Sequence, residues 1–162
     1  MDGRVHQINV SRGGVPKIAV PLAPVTRDGL TGDVQRNRKY HGGPDRAVCL
    51  FSLEVIQRLR SEGHPIEPGA AGENLTVAGL DWSLVVPGAH LAIGTGESRV
   101  ELEVLSYTVP CSTIRHSFKN LDSTRIKQEL HPGESRVYAR VLREGVVRAG
   151  DAVALLGGRT SP

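Results

Sequence analysis

In Val100-Glu101-Leu102-Glu103-Val104-Leu105, apolar and acidic residues alternate as far as Val104. In an extended chain that period places Val100, Leu102 and Val104 on one face and the two glutamates on the other. One face is therefore dry and the other wet, the pattern of an antiparallel strand at the surface of a core. Working outward, Val137–Leu142 and Val146-Val147 flank Glu144-Gly145, which predicts a hairpin, and Ala152–Leu156 predicts a closing strand. Upstream, Asn74–Val77, Leu84–Val86 and His90–Ile93 each predict a brief strand. Ala47–Phe51 is a continuous apolar run of the kind found in a strand covered on both faces. Val5–Val10 supplies a first strand, and residues 18–27 a second whose Pro21 and Pro24 push it toward an edge.

Two helices are predicted. Ser52 caps the first, over Leu53–Glu62, which carries Leu53, Ile56 and Leu59 on one face and ends at Gly63. The second runs from Asp122/Ser123 to Leu130. Nineteen Gly and ten Pro cut the remainder into short pieces, so the expected architecture is mainly β with a few helices. A barrel-like closure would remove the exposed edges, and no linker or repeat divides residues 1–162, which predicts a single domain.

Composition narrows the function classes. A chain of 162 residues builds a core without disulfides, and two cysteines, Cys49 and Cys111, do not make a secreted framework. No apolar N-terminal run and no stretch near ~18 apolar residues is present, so a cytoplasmic protein without a membrane partner is expected. A net charge of +3 is compatible with an anionic ligand, and with aromatics at only 4% a stacking platform for nucleic acid is disfavoured.

Three stretches carry candidate chemistry. Pro110 ends the strand that precedes it, leaving Cys111 before a possible helical turn with Arg115 and His116 nearby, a setting that favours thiolate. The competing reading is a small buried hydrophobe, which suits Cys49 inside its apolar run better than Cys111 among polar neighbours. Asn37–Asp45 combines Arg38, Lys39 and His41 with Gly42-Gly43 and Asp45, and its backbone amides and cations suit an anion; a solvated basic turn fits equally well. Gly69–Thr76 places Glu73 and Asn74 where a glycine loop meets a strand, facing a cleft or, alternatively, capping a turn. His64, beside Pro65 after the first helix, is expected to be solvated. The six histidines form no zinc-type spacing.

Taken in order, Gly14–Lys17, Gly29–Asp33, His41–Val48, Gly72–Leu75, Gly88–Gly94, Pro110-Cys111, Tyr138–Leu142 and Gly150-Asp151 resemble the MOSC domain, over roughly residues 3–156. The family is named for the C-terminal part of molybdenum-cofactor sulfurases and includes small stand-alone bacterial proteins. The resemblance implies a β-barrel-like fold, a molybdenum–pterin cofactor, and Cys111 as molybdenum ligand or persulfide carrier. It implies further that Lys17, Arg38 or Arg115, with the Gly42-Gly43 amides, meets the cofactor's phosphate. His41, Asp45, Glu73 and Asn74 would face the pterin. The activity implied is reduction of N-hydroxylated compounds, and the alternative is a non-catalytic carrier of sulfur or cofactor. No pyridoxal-phosphate sulfurase domain and no flavin or iron–sulfur motif is present, so a separate desulfurase or electron-donor protein is the expected partner.

Overall fold

The structure is a computed structural model that describes residues 2–34 and 43–156. Seven strands close into a barrel: β1 (Asp2–Val10), β5 (Val48–Ser52), β6 (Leu75–Ala78), β7 (His90–Ile93), β8 (Val100–Tyr107), β9 (Val137–Arg143) and β11 (Ala152–Leu156). Around the barrel they follow the order β1-β11-β7-β8-β9-β5-β6, and β6 returns to β1. β2 (Ile18–Val20) pairs with the end of β1 alone, while β3 (Leu22–Thr26), β4 (Gly29–Leu30) and β10 (Gly145–Arg148) form a second sheet in the order β10-β3-β4.

The alternation in β8 behaves as its sequence demands: Val100, Leu102 and Val104 are buried, and Glu101 and Glu103 are half-exposed. Their inward partners include Val5 and Ile8 of β1, Leu91 and Ile93 of β7, Val137, Ala139 and Val141 of β9, and Val153 of β11, all in one core cluster. Each Val, Leu or Ile side chain among them contributes about 1.5–3 kcal/mol when removed from water. β5 is buried at all five residues, because helix α1 (Leu53–Ser61) covers its outer face. α1 is also the crossover that lets β5 and β6 run parallel, the one parallel pair among the described strands. Ser52 Oγ accepts the Val55 amide at 3.2 Å and starts that helix; Leu53, Val55, Ile56 and Leu59 are its buried residues.

Four local expectations fail for identifiable reasons. Leu84–Val86 is no strand: Asp81 caps a 3-10 turn over Trp82–Leu84, burying Trp82 and Val85 and exposing Leu84. The helix expected to Leu130 is a 3-10 turn over Ser123–Ile126 held by Asp122, with Ile126 as its one buried apolar anchor and Leu130 exposed. One anchor is too little to hold so short a helix. Residues 18–27 split at Pro21, leaving β2 at an edge and β3 in the middle of the small sheet. Pro24 is tolerated there because β4 covers Val25 and Thr26 only. Finally, Glu144-Gly145 makes no hairpin. β10 leaves β9 and pairs with β3, matching Gly145 with Val25 and Arg148 with Leu22.

Gly145 permits that departure. A Cβ there would fall inside the contact radius of the Ser98 carbonyl oxygen. Gly145→Ala is therefore expected to lower unfolding free energy by about 2–3 kcal/mol, measured by urea denaturation, by forcing β10 away from the β7–β8 turn.

Candidate functional site

Beyond Tyr107 the chain is pinned by the Thr108 amide, which donates to the Arg136 carbonyl at 2.9 Å, and then passes through exposed Val109 to Pro110. Cys111 follows in extended conformation, partly exposed, at the start of a 3-10 helix over Ser112–Ser117. Its carbonyl accepts the Ile114 amide at 3.3 Å and the Ser123 hydroxyl at 3.2 Å, so the backbone carrying the thiol is held from two sides. The thiol itself contacts Thr113 Oγ1. Arg115 turns back to donate to the Ser112 carbonyl at 2.9 Å, and both Arg115 and His116 are exposed.

Tyr138 alternates in β9 with the core residues Val137 and Ala139, so it lies on the opposite face of the strand. It stands opposite Cys49 in the β5–β9 ladder and lies under the Arg46 guanidinium, 5.9 Å from its ring centroid. Burial pushes its hydroxyl well above the ordinary tyrosine range, and Cys49, Arg136, Arg46 and Cys111 all act on it electrostatically. Cys49 is buried, and burial raises its thiol likewise, with Thr108 Oγ1 at 3.8 Å. Of the two free cysteines, Cys111 alone has access to solvent.

A polar framework runs beneath. Lys17 Nζ is buried against Asp33 Oδ1 at 2.6 Å, and Asp33 also accepts the Ser11 amide and Asn74 Nδ2, each at 2.9 Å. Asn74 Oδ1 accepts the Cys49 amide at 2.9 Å and the Asn74 backbone N–H donates to the Cys49 carbonyl at 2.8 Å, so backbone and side chain together extend the β5 ladder. Glu73 is fully buried; its Oε2 accepts the Gly69 amide at 2.9 Å and Thr76 Oγ1 at 2.8 Å, while Oε1 has no partner. Burial drives its carboxyl upward, toward the neutral form. Gly69 has φ 86°, and a Cβ there would lie 2.7 Å from the Lys17 carbonyl.

The structure thus brings together Lys17, Glu73 and Asn74 as interior framework and places Cys111 at the rim. Gly43 and Asp45 are exposed beside the 3-10 turn Pro44–Arg46, and Arg38, His41 and Gly42 lie outside the described residues. The sequence motifs include Asp33, Arg46 and Tyr138 without giving them a site role, and they do not include Arg136. A signal for the last two existed: a cation and a tyrosine two residues apart, so on one face of the extended chain, where a strand with core residues Val137, Ala139 and Val141 begins. His64 is buried rather than solvated, because Phe118 packs edge-on to it at 5.5 Å and the Lys119 amide donates to Nδ1 at 3.2 Å. A separate cleft of about 240 Å³, lined by Trp82, Tyr107, Gln128 and Pro132 among others, does not include Cys111.

Residues 37–154 match the family model described as the MOSC domain. The Bacillus subtilis protein YflK is 32% identical over 148 residues, covering 91% of this chain and 64% of YflK. A Gibberella moniliformis protein named Reductase is 31% identical over 133 residues, covering 79% of this chain and 22% of that protein. The crystal structure of YiiM from Geobacillus stearothermophilus superposes with a TM-score of 0.71 at 26% identity, covering 96% of this chain and 75% of that one. The chain spans less than two thirds of the length of these two curated relatives.

Two outcomes follow from the site's electrostatics. Asp33→Asn strips the buried Lys17 ammonium of its counter-charge and is expected to cost about 3–5 kcal/mol, measured by denaturant unfolding. His64 is held below the ordinary histidine range, by burial first and then by the Lys119 charge. Between its folded and unfolded pKa the unfolded chain binds the extra proton, so this contribution to stability is present above about pH 6.5 and lost as pH falls below it. Thermal melts between pH 7.5 and 5.5 should show a steeper loss for the wild type than for His64→Asn.

Proposed function

This chain belongs to the MOSC domain family, and from that premise we propose that it binds a molybdenum–pterin cofactor, with Cys111 Sγ as protein ligand to molybdenum, and reduces N-hydroxylated compounds. The observation that carries the reading is the single solvent-accessible thiol on a backbone pinned at the barrel rim. Among the described residues no group of three or more His, Cys, Asp and Glu side chains is placed to hold a bare ion. A lone soft thiolate suits a metal that arrives with its own sulfur ligands. When bound, the cofactor supplies two-electron chemistry at the metal.

The chain's own residues would hold and orient. Cys111 supplies one thiolate, fixed by the Ile114 amide and Ser123 hydroxyl contacts to its carbonyl. Tyr138, whose hydroxyl burial holds above the ordinary tyrosine range, would present a neutral polar group within electrostatic reach of that thiol. Reduction of an N–OH group to N–H takes two electrons and two protons and releases water. The electrons come, in this reading, from a separate donor protein. Two free cysteines suit the reducing cytoplasm, and no helix among the described residues is long and apolar enough to cross a membrane.

Metal analysis of protein purified from a cofactor-competent host tests the proposal. Wild type is expected to carry near-stoichiometric molybdenum and to reduce an N-hydroxylated amidine with a chemical electron donor. Cys111→Ser should fold, with an unchanged circular dichroism spectrum, and lose at least 90% of both. Full activity in that variant refutes the assignment. A molybdenum-free wild type that takes up persulfide sulfur on Cys111 would replace it with the carrier reading.

A further inference from the structure

Two cations among the described residues are buried, Lys17 and Arg136, and they are treated differently. Lys17 is ion-paired to Asp33. Arg136, 5% exposed and immediately before β9, has no carboxylate within ion-pair distance among the described residues. Its Nη1 donates to the Ala71 carbonyl at 2.8 Å, while Nε and Nη2 have no hydrogen-bond partner among the described residues. Those two nitrogens share one edge of the planar guanidinium, so the unmet donors form a single fork with parallel N–H directions. A buried charged donor without an acceptor is destabilising, and two on one residue need a compensating ligand.

The surroundings narrow what that ligand is. Arg136 acts electrostatically on Glu73, Cys49 and Tyr138, and Cys111 acts on the same tyrosine from the rim. Glu73 Oε1 is also buried and unpartnered. With its carboxyl pushed by burial toward the neutral form, Glu73 leaves the guanidinium charge unbalanced and can itself act as a donor. A fork of two N–H groups, an unbalanced positive charge and a neutral acid suit a tetrahedral oxyanion with three free oxygens better than a carboxylate with two.

We infer that the Nε–Nη2 edge of Arg136 is a binding point for the phosphate group of a ligand. It takes the part that the resemblance would give to Lys17, Arg38 or Arg115; of these, Lys17 has its ammonium already held by Asp33. That the phosphate belongs to the pterin rests on the cofactor reading above; the phosphate point itself does not.

The test has two arms on the full chain. Inorganic phosphate is titrated against wild type, Arg136→Met, Arg136→Lys and Cys111→Ser by calorimetry, at ionic strength held constant with chloride. Pterin content is then measured by fluorescence after oxidative release, on the same proteins from a cofactor-competent host. Wild type and Cys111→Ser should bind phosphate alike, Arg136→Met at least tenfold more weakly, and Arg136→Lys in between because it keeps the charge and loses the fork. Pterin content should fall in the two Arg136 variants. Unchanged phosphate affinity in Arg136→Met, or no phosphate binding by wild type, overturns the inference and leaves the edge as a buried-water site. If Arg136→Met does not fold, the same comparison is made with Arg136→Lys. Phosphate binding through Arg136 in a wild type that carries no pterin sustains the phosphate point and refutes the cofactor reading.

Discussion

Barrel closure rests on β1. Its first residues, Asp2–Arg4, pair with β11, Arg4–Ile8 pair with β6, and Ile8–Val10 reach on to β2. One strand thus seals both free edges of the sheet, and a register shift between Val5 and Gln7 lets it bend between its partners. Val5 and Ile8 point into the core from this strand, so the hydrogen bonds that close the ring and the apolar burial that stabilises it depend on the same residues. Without the seal, β6 and β11 would each present an open row of amides and carbonyls.

The candidate site follows from that closure. Asn9, near the end of β1, donates to the Glu73 carbonyl at 3.1 Å and to Thr76 Oγ1 at 3.1 Å. Asn74 then links β5 to Asp33 and Lys17, and the Gly69–Glu73 loop is drawn against Arg136 through Ala71. Among the described residues this polar framework leaves two groups without a partner, the Arg136 edge and Glu73 Oε1. Arg125, held between Glu62 and Glu134 at 2.9 Å from each, ties the segment after Cys111 back to α1 and keeps the rim in place.

Much of the fold was legible because it depends on local chemistry. The alternation of Val100–Leu105, the apolar run at Ala47–Phe51 and the Ser52 cap each state their environment within a few residues. The misread segments share another property. Val146-Val147 is a good strand whose partner is decided by the space that Gly145 leaves beside Ser98, a residue far from it in sequence. His64 has polar, turn-forming neighbours in sequence, and only Phe118 and Lys119, more than fifty residues away, bury it.

The same division holds for the site. The sequence by itself determined the family and singled out Cys111, because a cysteine after proline at a strand end, among ordered glycine motifs, is a local pattern. Only the tertiary structure decided which charges are free to act. A lysine in sequence is a cation; Lys17 in the fold is half of a buried pair with Asp33. An arginine before a valine looks like solvated surface, yet Arg136 is buried with one donor edge open. Whether a charge is available depends on its dielectric surroundings and its partner, and both are brought to it by strands distant in the chain.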